Sequence, residues 1–122
     1  MEGIKYTLMK YFKESEFNHY DEMSPALLDK LDELREAYGK YIIITSDYRG
    51  PDHPIERAKP NGPGVHSLGV AVDVASIGGT QTFDIVRAAI KVGFKRIGIS
   101  RKHNFIHLDI ADKATSIWHY TL

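Results

Sequence analysis

The sequence predicts an α+β domain, in which a small, mainly antiparallel sheet packs with two main helices and carries a metal site on one face. Three observations lead there. Two segments, 24–39 and 82–93, set apolar residues at helical spacing between start and stop signals. Two others, Gly69-Val-Ala-Val-Asp-Val-Ala75 and Asn104-Phe-Ile-His-Leu-Asp-Ile110, alternate as half-buried strands do. The polar members of both alternations include aspartate and histidine, side chains that ligate divalent metals.

Taken in chain order, the first helix opens at Ser24-Pro25, where serine is free to cap and proline is preset for the first turn. It stops at Gly39, and Leu27, Leu28, Leu31, Leu34 and Tyr38 form its apolar stripe. Tyr41 to Thr45 reads as a strand. The segment from Tyr48 to Val65 holds four of the five prolines and three glycines and reads as a long loop, a kind that is usually functional inside a compact domain. In the strand that follows, Val70, Val72 and Val74 point to one face. Gly69, Ala71, Asp73 and Ala75 point to the other, where the small residues leave room around the aspartate. A second helix runs from Thr82 to Val92, with Phe83, Val86, Ala89 and Ile90 inward and Gly93 after it. Strands at Arg96 to Ser100 and Asn104 to Ile110 close the sheet around a turn from Ser100 to Asn104, and Trp118, the single tryptophan, anchors the packing of the tail. Repeats and low-complexity tracts are absent.

In the last of these strands Ile106, Leu108 and Ile110 form the apolar set, so Phe105, His107 and Asp109 share the opposite face. If the two alternating strands are neighbours, Asp73 and His107 lie side by side. His66 sits just ahead of its strand, after the turn-rich run Pro60-Asn-Gly-Pro-Gly64, where a loop can bend it onto the same ion. An unpaired carboxylate among buried valines is costly, so Asp73 demands a cation or a hydrogen-bond partner. His66, Asp73 and His107 are candidates for a three-ligand zinc set whose fourth position stays open for water or substrate, the alternative being ordinary surface or hydrogen-bonded core residues.

The pattern His66-x-x-Gly-x-Ala-x-Asp73, followed by Phe105-x-His107-x-Asp109, resembles the zinc D-Ala-D-Ala carboxypeptidase family, peptidoglycan peptidases that share a fold with hedgehog signalling domains. Ile43-Ile-Thr-Ser-Asp-Tyr-Arg49 is similar to that family's strand ending in a Ser-Gly-Tyr-Arg-Ser type turn, with Asp47 where glycine is usual. The Leu-rich first helix and the opening Tyr11-Phe-Lys-Glu-Ser-Glu-Phe17 also resemble the short phage-encoded members. The resemblance implies a hedgehog/D-Ala-D-Ala peptidase-like fold, zinc as cofactor, and hydrolysis of an amide bond in peptidoglycan stem peptides. It implies Arg49 as a substrate contact, since a guanidinium grips a carboxylate in a two-pronged geometry. An ion pair with Asp47 or Asp52 is the plain alternative. Ser46 and His53 join it as substrate-binding candidates, His53 also fitting an ordinary loop role.

One departure bears on mechanism. The best-understood members carry Glu or Asp three residues before the last histidine ligand, and here that position is Asn104, which cannot accept a proton. Asp109 and His103 are the candidates to replace it. With a rise of about 3.3 Å per residue, the Asp109 Cβ stands about 7 Å from that of His107, which suits either an orienting partner or a proton acceptor through water. His103 has the right pKa range but sits in the turn. The loss at Asn104 keeps open a second class, an inactive zinc-containing binding or structural phage or virion module.

Composition bounds the rest. The 122 residues suit a single peptidase domain spanning 1–122. Sixteen basic residues balance sixteen acidic ones, which argues against a nucleic-acid partner and for a monomer. Cysteine is absent, which excludes thiolate ligands and disulfides. Met1-Glu-Gly-Ile-Lys-Tyr6 lacks the pattern of a secretory signal, and no stretch is long and apolar enough for stable membrane insertion. The expectation is synthesis in a host cytoplasm and action on the cell wall after release or as part of a virion.

Overall fold

The computed structural model describes residues 10–50, 52–60, 62 and 64–121. Residues 1–6, on which the signal reading rests, and Asn61 and Pro63 of the turn-rich run lie outside the described residues. Its strands are β1 (Ile44–Ser46), β2 (Ala71–Ala75), β3 (Arg96–Ser100), β4 (Phe105–Asp109) and β5 (Ser116–His119). Its helices are α1 (Pro25–Tyr38), α2 (Pro54–Arg57) and α3 (Gly78–Lys91). The strands form one sheet in the order β1-β2-β4-β3-β5, antiparallel throughout except for β5, which runs parallel to β3. Among the described residues, no helix is long and apolar enough to cross a membrane.

Helix α1 starts and stops where its signals lie. The Ser24 hydroxyl accepts the Leu27 N–H at 3.4 Å, and Gly39 closes the helix in the left-handed region at φ 81°. Leu27, Leu28, Leu31 and Leu34 are fully buried, each burial contributing about 1.5–3 kcal/mol. They pack with Ile85, Ala88 and Ala89 of α3 against Val72, Val74, Ile97, Ile106 and Leu108 of the sheet. Phe12, Phe17, Tyr20, Met23, Ile42 and Phe94 complete the core. By alternation, the remaining strand side chains point to the other face of the sheet, away from α1 and α3.

Four expectations need correction. β1 begins at Ile44 rather than Tyr41. The Ile43 carbonyl still accepts the Ala75 N–H, but the register shifts between Ile44 and Ser46, a bulge that shortens the regular ladder. Helix α3 begins at Gly78, before Thr82, a start that the weak helix formers Gly78-Gly79 conceal, and the Gln81 side-chain oxygen accepts the Ile77 N–H at 2.7 Å across its first turn. Its inner face is accordingly Thr82, Ile85, Ala88 and Ala89, whereas Phe83 and Ile90 are exposed. The Thr82 hydroxyl tolerates burial by bonding Ser76 Oγ at 2.9 Å and the Gly78 carbonyl at 2.8 Å. The segment 48–65, read as a loop, contains the single-turn α2. The tail that carries Trp118, for which no element is predicted, forms β5.

Candidate metal centre

A single cross-strand row on the face away from α1 and α3 spans the sheet. Ser46 stands opposite Asp73, Asp73 opposite His107, His107 opposite Gly98, and Gly98 opposite Trp118. The register therefore places Asp73 and His107 side by side, as the alternation anticipates. His66 arrives from above the row on a 3-10 turn, Val65–Leu68, which ends at Gly69 with φ 73°. That turn requires glycine, since a Cβ on Gly69 would collide with the carbonyl oxygen of Glu22.

Hydrogen bonding fixes which nitrogen of each histidine is free. His66 Nδ1 lies 2.7 Å from the Asp47 carbonyl oxygen, which can only accept, so Nδ1 carries the proton and Nε2 presents a lone pair. His107 Nε2 lies 2.7 Å from Asp109 Oδ2, so its proton faces Asp109 and Nδ1 presents the lone pair. These two nitrogens are 3.2 Å apart. Asp73 Oδ1 stands 3.1 Å from His107 Nδ1 and 3.3 Å from His66 Nε2. Three acceptors thus converge, and with both imidazoles neutral no hydrogen lies between them. A tetrahedral ion bonded at about 2.0–2.1 Å separates its ligands by about 3.3 Å. The donor set fits a divalent metal, and His66, Asp73 and His107 form the group able to hold one among the described residues.

All three side chains are buried. Without a cation, the cluster can be neutralised only by a proton. Burial opposes charge on both His107 and Asp73. The carboxylates of Asp109 and Asp73, which accept from a protonated ring, nevertheless raise the His107 pKa above its ordinary value, and the neighbouring His107 and His66 hold Asp73 down at about 2. Asp109 is likewise lowered, its burial outweighed by His107, the Ala111 N–H and Arg96.

The supports of the ligands reach further. Asp109 is fully buried and accepts from His107 Nε2, from Arg96 Nε at 2.7 Å and from Ala111 N at 3.0 Å. With these donors engaged and no exposure, it orients His107, and its position does not suit proton exchange with a substrate. Asp47, buried on the other side, orients His66 through its carbonyl. Its carboxylate accepts the His19 N–H at 2.7 Å, tying the segment before α1 to the ligand.

Arg49 lines the cleft over the row, paired with neither Asp47 nor Asp52. Its Nε bonds Glu56 Oε2 at 2.7 Å and one terminal nitrogen donates to Ser46 Oγ at 3.0 Å. Glu56, fully buried in α2, also accepts from Lys59 at 3.0 Å and from the Gly64 N–H at 2.6 Å. Burial would raise its pKa, but these partners hold it at about 2. The cleft measures about 510 Å³. Lys59 lies on the Arg49 side, and Arg96 and Lys113 join an aromatic wall of Phe105, Trp118 and Tyr120.

The structure brings His66, Asp73, His107 and Arg49 to one cleft, with Asp109 and Ser46 supporting them. Two candidates fall outside it. His53 is exposed and caps α2, its Nδ1 accepting the Ile55 N–H at 3.1 Å. His103 is exposed in the turn beyond β3, held there by its own N–H to Ser100 Oγ at 3.1 Å. Asn104, exposed beside it, has φ 59°, a left-handed turn conformation that asparagine tolerates, and its carbonyl accepts the Ser76 N–H. Sequence reasoning missed Glu56, for which no local pattern signals burial. It also missed the cleft role of Trp118 and Tyr120, which the alternation in Ser116-Ile-Trp-His-Tyr120 signals once the tail is read as a strand. Trp118 does anchor packing, since its indole lies where a Gly98 Cβ would be, but it also flanks His107, ring centroids 5.5 Å apart.

Among protein families, the model described as Peptidase M15 matches residues 5–109. Curated proteins give no match to the chain. The matched stretch spans most of the sequence and includes all three clustered side chains, so the chain belongs to the peptidase M15 family, of zinc D-Ala-D-Ala carboxypeptidase type.

Proposed function

We propose that this protein is a zinc metallopeptidase that hydrolyses an amide bond in bacterial peptidoglycan stem peptides, by D-Ala-D-Ala carboxypeptidase or endopeptidase action. The observation that carries the reading is the convergence of three lone pairs, at 3.1 to 3.3 Å, on the floor of an open cleft. Zinc held by His66, Asp73 and His107 would supply a Lewis acid that polarises the scissile carbonyl and acidifies water. The remaining work falls to the chain itself. Asp47 and Asp109 keep both imidazoles turned to the ion. Arg49 has Nε and one terminal nitrogen committed, which leaves its other terminal nitrogen for a substrate carboxylate or carbonyl. Glu56 holds that guanidinium in place.

The peptide substrate is cell-wall peptide met by a monomer, in a lytic or virion-associated role of phage type. Incubating zinc-loaded protein with purified peptidoglycan and isolated stem peptides, with products read by mass, tests this. New fragments that vanish in His66→Ala support the reading, and the mass lost identifies the bond. Stoichiometric zinc without cleavage would make the chain a binding or structural module, in keeping with the missing acid at Asn104.

A further inference from the structure

Tyr120 lies beyond the stretch matched to the family, and it is the one side-chain hydroxyl that lines the cleft among the described residues. Its backbone is fixed where β5 ends, its N–H donating to the Ile99 carbonyl at 2.9 Å. Its ring rests against Phe105, centroids 5.4 Å apart, and against Trp118 at 6.3 Å. Trp118 is itself held by Gly98, whose missing side chain gives the indole its place, and by the guanidinium of Arg96 at 5.1 Å. The phenol is therefore placed by a packed stack that starts on the ligand row.

The indole of Trp118 meets the Tyr120 ring edge-on and, as a donor only, offers the phenol O–H no acceptor. Among the described residues no side chain or carbonyl accepts the Tyr120 O–H, which is left for a group that enters the cleft. Burial and the negative charges of Asp73 and Asp109 raise the phenol pKa despite Trp118 and Arg49, so the proton stays on at neutral pH. The cleft has few other uses for such a group. Its carboxylate and imidazole groups are the three ligands, while Glu56 and Asp109 are fully buried behind Arg49 and Arg96.

We propose that Tyr120 is a catalytic residue whose O–H donates a hydrogen bond to the scissile carbonyl oxygen as that oxygen gains negative charge. This rests on the peptidase reading above. No proton is transferred, and the hydroxyl serves as a preoriented dipole in a partly dry cleft, the kind of donor whose removal slows acyl chemistry by about 100-fold.

The test is Tyr120→Phe, which keeps the ring against Phe105 and Trp118 and removes only the donor. Zinc-loaded wild type and variant are compared for metal content, for kcat and KM on a stem peptide, and for calorimetric affinity toward a phosphinate pseudopeptide that mimics the tetrahedral state. The expected result is unchanged zinc, a KM within about twofold, and parallel losses of about 100-fold in kcat and phosphinate affinity. Equal kcat and equal phosphinate affinity would overturn the assignment, as would a loss confined to KM. If wild type cuts no peptide, the peptidase reading fails. The phosphinate comparison still decides on Tyr120, because equal affinity refutes the donor and a selective loss retains it.

Discussion

The strongest commitments are made by single atoms. Both histidines are turned by an acceptor behind them, the Asp47 carbonyl for His66 and the Asp109 carboxylate for His107. Replacing Asp109 by Asn leaves the ligands in place but weakens the hold on the ring. Zinc affinity, measured by chelator competition, should fall about 10- to 100-fold, whereas an unchanged value would show that Arg96 and packing orient His107 alone. Glu56 gives a second prediction, on stability. Its pKa falls from 4.5 free to about 2 folded, so its contribution is complete above about 4.5 and is lost as pH drops towards 2. Glu56→Gln should cost about 1.5–3 kcal/mol at neutral pH and flatten the acid limb of a stability-pH curve. An acid limb unchanged from wild type would contradict it. At this scale the clustering of Asp73 and His107 was legible in the sequence, because period-two alternation puts both on the face away from the valines and isoleucines. Glu56 was not legible, because its partners come from three separate points of an irregular segment.

The elements explain why the residues meet. β4 lies between β2 and β3, so the ligand row needs only the antiparallel register to bring Asp73 against His107 and to extend to Gly98 and Trp118. Gly98→Ala should therefore act at a distance along the row. A Cβ would stand 2.6 Å from the indole, so Trp118 must move, and near-ultraviolet circular dichroism and cleft activity should change while far-ultraviolet signal stays. Retention of both would mean that the indole is not seated on Gly98. Helix α1 was readable from end to end through Ser24, Pro25, its four leucines and Gly39. Helix α3 was misjudged at its start and on its inner face, because a glycine pair of poor helix propensity opens it and a hydroxyl-satisfied threonine took an apolar place. β5 escaped notice because four residues of a tail give too short a pattern to distinguish a strand from an anchor.

The molecule as a whole divides its labour between the two faces of one sheet. The helix-covered face supplies stability, and the open face, capped by segment 48–65 and the β5 aromatics, holds the cleft. Binding of a metal to the folded state alone adds stability by mass action, about 2.7 kcal/mol at a free concentration 100 times Kd. The zinc-loaded protein should melt several degrees above the chelated form, and that gain should shrink at acid pH as protons compete with the metal for its ligands. The central claim is that His66, Asp73 and His107 hold one ion with a position left open. Native mass spectrometry of the cobalt- or zinc-loaded protein, with His66→Ala, Asp73→Ala and His107→Ala alongside, tests it most directly. One ion per wild-type chain, lost in every variant, is the predicted result. A wild type that binds no ion, or variants that keep it, would contradict the account.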